Sequence, residues 1–284
     1  MKKKFLKRHA FIASAVLNFV YSAPLLAIPF QPGMQLVADP QLQVCLDQTV
    51  NANNWTTTEE VTELNCPNQG IQDLGGIEQL INLKQLNLSG NRLFNTYQLE
   101  QLGQLTVLDL SNNNLMALPG FWSLNQLRQL NLSGNSRLQA TEVLALIQHN
   151  PHLTQLGVAD IAMGNDLSWL PPKGPQGEYN LIELDISRTG QYMDLQPIMQ
   201  YTNLKVLKAA GNQLQFPGPL DQLAQLETLD LSNNNLNFVG MLGYIDSLKL
   251  LDLRGNNLIP CNELDNLEAS LVGVEFYRPA SCAI

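Results

Sequence analysis

Four aspartates stand in one recurring local context. Asp109, Asp185, Asp230 and Asp252 each follow a leucine and precede a leucine or isoleucine. Carboxylates brought side by side are the material of glycoside hydrolysis, one as acid and one as base or nucleophile, and of hard-cation binding. The plainer expectation is that polar side chains at this place simply face water. His149 and His152, in QHNPH, would suit a transition metal, but Pro151 breaks the helical spacing and no third ligand lies nearby in sequence. No HExxH, GxSxG, glycine-rich phosphate loop or CxxC occurs. The expectation is a non-catalytic protein, with no catalytic residue, no cofactor and no metal.

The elements that position the aspartates are visible as a repeat. LTVLDLSNNNL (Leu105 to Leu115) returns as LKQLNLSGNRL from Leu83, LETLDLSNNNL from Leu226 and LKLLDLRGNNL from Leu248. Nine units open at Val61, Leu83, Leu105, Leu127, Leu153, Leu181, Leu204, Leu226 and Leu248, at intervals of 22, 22, 22, 26, 28, 23, 22 and 22. Such a period means a solenoid. The pattern predicts a short strand at positions 3 to 5, with positions 1, 4, 6 and 11 turned inward. Asparagine at position 9 (Asn91, Asn113, Asn135, Asn212, Asn234, Asn256) is expected at a tight bend, satisfying backbone groups of its own and the adjoining coil. The four aspartates occupy position 5, in one column with Asn87 and Asn131. At about 4.8 Å between coils, Asp230 and Asp252 are expected to be neighbours.

Proline and glycine in LPGFWSLNQ and FPGPLDQLAQ predict irregular or single-turn back halves, with Leu99, Leu102, Leu118, Phe121, Leu124, Phe216, Leu220, Leu223, Val239, Leu242 and Ile245 inward. Thr141 to His149 is expected as a true helix facing inward through Leu144, Ala145 and Ile147. Regularity fails in the middle, where Ile161 and Thr189 replace the asparagine. Between them the Pro- and Gly-rich stretch 163–180 must form a loop.

These units resemble the leucine-rich repeat family, matching LxxLxLxxNxL over Val61 to Leu258, in the short 22-residue class seen in bacterial internalin-type repeats. The resemblance implies an α/β solenoid, an arc or horseshoe with parallel β-strands on its concave face, helical and disulfide caps, and protein binding as the usual role. Secreted bacterial members place a helical cap before the first repeat. Here Asp39-Pro40 begins such a helix, with Leu42, Val44, Cys45, Leu46 and Val50 expected on one apolar face and Asn51 to Asn54 ending it. The expected organisation is a signal peptide at 1–27, an N-terminal cap at 28–60, repeats at 61–260 and a C-terminal cap at 261–284.

Export follows from the N-terminus. MKKKFLKRH is basic, Ala10 to Ala23 is mostly apolar, and Ala27 suits a cleavage site, while the apolar run is too short to span a bilayer comfortably. A secreted or periplasmic location is expected, without stable membrane insertion after cleavage. Four cysteines flank the array, and three pairings are open in principle. Because a rigid solenoid holds its ends apart, Cys45–Cys66 and Cys261–Cys282 are the favoured ones, with free buried thiols the alternative. The full chain carries 16 basic and 25 acidic residues; without its first 27 residues, which hold five basic residues and no acid, the net charge is near −14. That excludes an ordinary nucleic-acid binder and fits a protein partner that is basic or neutral.

The outward positions define the candidate binding surface, roughly 40 Å of sheet across nine strands. Its expected binding residues are Arg128, Gln155, Glu183, Asp185, Arg188, Lys205, Lys208, Asp230 and Asp252. Trp169 and Tyr179 on the insertion loop are a second candidate, with burial of Trp169 over the irregular coils the competing expectation. The functional expectation is a protein–protein interaction module; the rival is a binder of carbohydrate or envelope polymer through the Asn, Gln and Asp rows.

Overall fold

A computed structural model describes residues 27–164, 167–170, 180–190 and 195–282. One parallel sheet runs the length of the molecule with its strands in chain order. They are β1 (Glu63–Asn65), β2 (Gln85–Asn87), β3 (Val107–Asp109), β4 (Gln129–Asn131), β5 (Gln155–Gly157), β6 (Glu183–Asp185), β7 (Val206–Lys208), β8 (Thr228–Asp230), β9 (Leu250–Asp252) and β10 (Glu275–Tyr277). Each is three residues long because only positions 3 to 5 of a unit are extended before the chain bends. The central leucine of each repeat strand points inward, where it stacks on the leucine of the next coil: Leu64, Leu86, Leu108 and Leu130 are in register. Leu105, Leu108, Leu110 and Leu115 are all buried, as positions 1, 4, 6 and 11 require. Burying a leucine stabilises by roughly 1.5–3 kcal/mol, and every coil repeats this set.

The asparagine ladder holds the bend together. The Asn113 amide donates to Leu88 O of the preceding coil at 2.9 Å and Leu110 O of its own at 3.0 Å, while its Oδ1 accepts from Leu93 N at 3.0 Å. Asn135, Asn234 and Asn256 repeat this geometry. Where the ladder fails, other groups act. Ile161 fills its slot as core, Leu138 N turns to Asn135 O at 2.9 Å, and Thr189 Oγ1 donates to Ile186 O at 2.6 Å. One ladder-like residue has no counterpart in the repeat pattern: buried Asn150, at the end of the mid-chain helix, accepts from Leu127 N at 3.0 Å.

The back halves are 3₁₀ turns, including Ile77–Gln79, Tyr97–Gln101, Phe121–Ser123, Gln196–Gln200, Leu220–Gln222 and Gly240–Tyr244. Phe216 departs from its expected inward place: it is 38% exposed and stacks on Phe238, centroids 6.3 Å apart.

Three α-helices complete the molecule. In α1 (Pro40–Asn53), Asp39 Oδ1 accepts from Gln41 N at 2.8 Å and Leu42 N at 3.2 Å, while left-handed Asn54 ends the helix. The second oxygen of Asp39 takes Gln72 N at 2.8 Å, so one carboxylate joins the cap helix to the first coil. Leu42, Cys45, Leu46 and Val50 face the core, but Val44 does not; it is 50% exposed, lying off their helical stripe. In α2 (Ala140–His149) the buried face is Val143, Leu146 and Ile147, not Leu144 and Ala145. A start at Ala140 puts i, i+3 and i+4 from Val143 on one side. In α3 (Cys261–Ser270), Leu264 and Leu267 are buried, and Glu263 Oε1 accepts from Gly240 N at 3.0 Å of the last full coil.

Cys45 is bonded to Cys66 and Cys261 to Cys282, with Cα separations of 5.9 and 5.4 Å. The first bond fastens α1 over β1. The second draws the tail back so that β10 adds a tenth strand beside β9, outside the nine repeats. Arg278 secures this end on Asp265 at 3.0 Å and Glu268 at 2.7 Å.

Candidate functional site

Positions 3 and 5 of every strand point away from the leucine core and form two parallel columns across the concave face. The position 5 column reads Asn65, Asn87, Asp109, Asn131, Gly157, Asp185, Lys208, Asp230, Asp252 and Tyr277, in strict register. Its acids do more than face water. Asp109 Oδ1 accepts from Ser111 N at 2.8 Å, Asp185 from Ser187 N at 3.0 Å, Asp230 from Ser232 N at 2.9 Å and Asp252 from Arg254 N at 3.0 Å. Asn87 and Asn131 make the same bond, to Ser89 N at 2.9 Å and Ser133 N at 3.1 Å. Each side chain caps the turn that follows its strand, as Asx turns do. In Asp109, Asp185 and Asp230 one oxygen is thereby committed to the fold, while the second oxygen of Asp252 is taken by Arg254. The signal was legible: only Asn or Asp accompanies that turn in these six units.

Among the described residues the face carries three depressions, one of them toward the N-terminal cap over Glu63, Asn65, Gln85 and Asn87. A central one, about 200 Å³, lies over Gly157 and is lined by Asp109, Asn131, Gln155, Glu183, Asp185 and Lys208 among others. The third lies toward the C-terminal end, over Lys208, Thr228, Asp230, Asp252, Arg254 and Tyr277. Gln155, Glu183, Asp185 and Lys208 thus share one site, and Lys208, Asp230 and Asp252 another. Arg128, Arg188 and Lys205 are exposed but line none of the three.

Ion pairs organise the charge. Lys208 Nζ lies 3.2 Å from Glu183, and Lys205 and Lys249 share Glu227 at 3.5 and 2.5 Å. Hydrogen bonding from Lys249, with the charges of both lysines, holds the Glu227 carboxyl below the ordinary glutamate range. Arg188 sits at a left-handed bend, φ +54°, and grips Asp160 of the preceding coil with two bonds, 2.5 and 2.7 Å. That bidentate bond lowers the Asp160 carboxyl and raises the Arg188 guanidinium.

Two expected binding residues lose their exposed role. Asp252 is only 5% exposed and pairs with the Arg254 guanidinium, which also lies 4.7 Å over the Tyr277 ring. Arg254 and Tyr277 replace it as the accessible groups, because β10 brings an aromatic ring beside position 5 of β9. Trp169 is 7% exposed and joins the apolar core, so its indole is withdrawn from partners. Tyr179 lies outside the described residues, as do parts of the expected 163–180 loop and most of the expected signal segment.

The histidines do not converge on a metal. His149 Nδ1 is 2.7 Å from Ala145 O, and its ring meets Trp122 edge-on at 4.4 Å; His152 is exposed. Among the described residues no three His, Cys, Asp or Glu side chains are arranged to hold an ion. Also among them, no helix is long and apolar enough to cross a membrane.

Comparison with known proteins agrees with this geometry. A family model described as leucine-rich repeats in two copies matches residues 104–146, and a single leucine-rich repeat model matches 225–244. No curated protein matches. Internalin C2 of Listeria monocytogenes is 25% identical, with 77% of this chain and 94% of that chain covered and a TM-score of 0.62. A second Listeria monocytogenes internalin, InlF, is 18% identical over 90% of this chain and 96% of that one, TM-score 0.41. A leucine-rich repeat protein of Leptospira interrogans is 20% identical over 77% and 76%, TM-score 0.38.

Proposed function

We propose that this internalin-like leucine-rich repeat chain is a non-catalytic module that binds an extracellular or periplasmic protein through its concave face. The observation that carries the reading is the pair of outward columns, ten strands deep, whose polar and charged side chains are fixed in register and unpaired with any other layer of the fold. A surface that long is ample for a standard interface of about 800 Å² per partner. Export is supported by the two disulfides, which persist in oxidising compartments. The mature N-terminus is then expected at Ile28, checked by mass spectrometry of the exported protein.

The test is reversal of exposed concave cations. Arg188→Glu with Lys205→Glu is expected to weaken capture of the partner from envelope extracts about tenfold, at unchanged thermal stability to within a few degrees. Their present ion pairs lie at the solvent-accessible surface, where water and salt screen them, so their loss is not expected to unfold the chain. Capture that is unaltered by the pair would remove the concave face as the binding surface. The rival, a glycan or envelope-polymer binder, is favoured by the adjacent Gln129 and Gln155 at position 3, with Gln85 beyond Val107 in the same column. It predicts retention on a glycan array that excess protein extract does not compete away.

A further inference from the structure

We propose that the central depression over Gly157 is a socket for one lysine or arginine side chain of the protein partner. The proposal rests on the concave-face reading and names the chemistry that face selects. In the column described above, Gly157 is the only position without a side chain, flanked by Asn131 and Asp185. Two strand spacings separate those flanks, about 10 Å, wide enough for a guanidinium or ammonium group.

The backbone does not demand glycine there. Gly90, Gly134, Gly211 and Gly255 have positive φ, but Gly157 lies in an ordinary strand. A Cβ at Gly157 would meet Asn131 Oδ1 at 2.5 Å and Ser133 Oγ at 3.0 Å, which are side-chain ends rather than main chain. Glycine instead permits the close approach of the Asn131 and Ser133 side chains, which are held by Ser133 N and Ala159 N, and the depression opens beside them.

Its lining has the two properties a long cation needs. Val107 and the strand edges give the aliphatic stem an apolar wall. Asp109, Glu183 and Asp185 give the head group anionic acceptors. The only cation in the lining is Lys208, which pairs with Glu183; Asp185 also feels the charge of Arg188 from outside the lining, while no ion pair reaches Asp109 among the described residues. Each aspartate has spent one oxygen on its turn, and the Asp109 Oδ2 has only a long 3.4 Å bond from Asn131.

The socket is tested by NMR titration of the isotope-labelled protein with three blocked pentapeptides, GGKGG, GGRGG and the same sequence with a central norleucine. The cationic peptides are expected to shift the amides of Gly157, Gln155 and Asp185, and norleucine is not. Two variants probe the cause. Gly157→Asn adds bulk at the depression and must push aside Asn131 Oδ1 and Ser133 Oγ. Asp109→Asn with Asp185→Asn removes two charges and keeps the turns, since Asn87 and Asn131 already make the same bond. Each is expected to weaken the cationic peptides about fivefold or more. Shifts dispersed over the acidic surface, or affinity unchanged in the double aspartate variant, would overturn the socket. Shifts centred elsewhere on the strands would overturn it while leaving the concave-face reading intact; that reading is tested separately by the Arg188 and Lys205 reversals.

Discussion

At the residue scale, polar side chains carry loads that a leucine pattern does not advertise. Asn113 satisfies three carbonyls and one amide across two coils, all buried. Asn113→Leu leaves those groups without partners, at about 1–3 kcal/mol each, less whatever relaxation recovers. Urea unfolding is expected to show a loss of at least about 3 kcal/mol; a loss under 1 kcal/mol would mean the ladder is decorative. Asp39 gives a pH-dependent case. Burial alone pushes its carboxyl up, but N–H groups of Gln72, Leu42, Gln41 and Asp73 outweigh that and hold it below the usual aspartate value. A lowered folded-state pKa means that the stabilisation is present above the unfolded value, near 3.9, and is lost as pH falls through the folded one. Asp39→Ala is therefore expected to cost roughly 1–2 kcal/mol at pH 7 and progressively less below pH 4, measured by denaturation across pH. The asparagine slots were legible because their spacing is rigid. The turn-capping role of the position 5 aspartates was not separated from simple exposure, since either role tolerates the same residues.

At the element scale, repetition made nine strands readable and helix signals marked α1 and α2, while β10 has no such signal. β10 lies in VEFYR, which carries no LxxLxL pattern; it forms because the Cys261–Cys282 bond and the Arg278 ion pairs return the tail to β9. In α2 only Ile147 of the three expected inward residues is buried, because Val143, Leu144, Leu146 and Ile147 are all apolar and pattern alone leaves the face open. Caps matter to a solenoid because each coil is supported only by its neighbours. Replacing Cys45 and Cys66 by alanine opens a loop with a sequence separation of 21, worth about 3 kcal/mol by chain entropy. The loss should be local. Hydrogen exchange is expected to quicken in α1, β1 and β2 while β7 to β9 keep their protection; uniform loss along the array would show that the coils unfold as one unit rather than fraying from the cap.

At the scale of the whole molecule, the architecture presents one long polar sheet face, closed by a cap at either end, on a strongly acidic chain. Fold and caps follow from leucine spacing and cysteine placement. The binding surface follows only in outline, because which outward residues meet, which are tied up in ion pairs and where the column is empty depend on register between coils. Arg188 and Asp160 are 28 residues apart, and their pairing across an irregular interval could not be read from either segment alone. The central claim is that partners meet this concave face. The most direct measurement places a photo-crosslinking residue at Lys205 on that face and, separately, at Asp221 on a convex 3₁₀ turn. The account predicts a crosslinked partner from Lys205 and none from Asp221. A partner trapped at Asp221 and absent at Lys205 would contradict it.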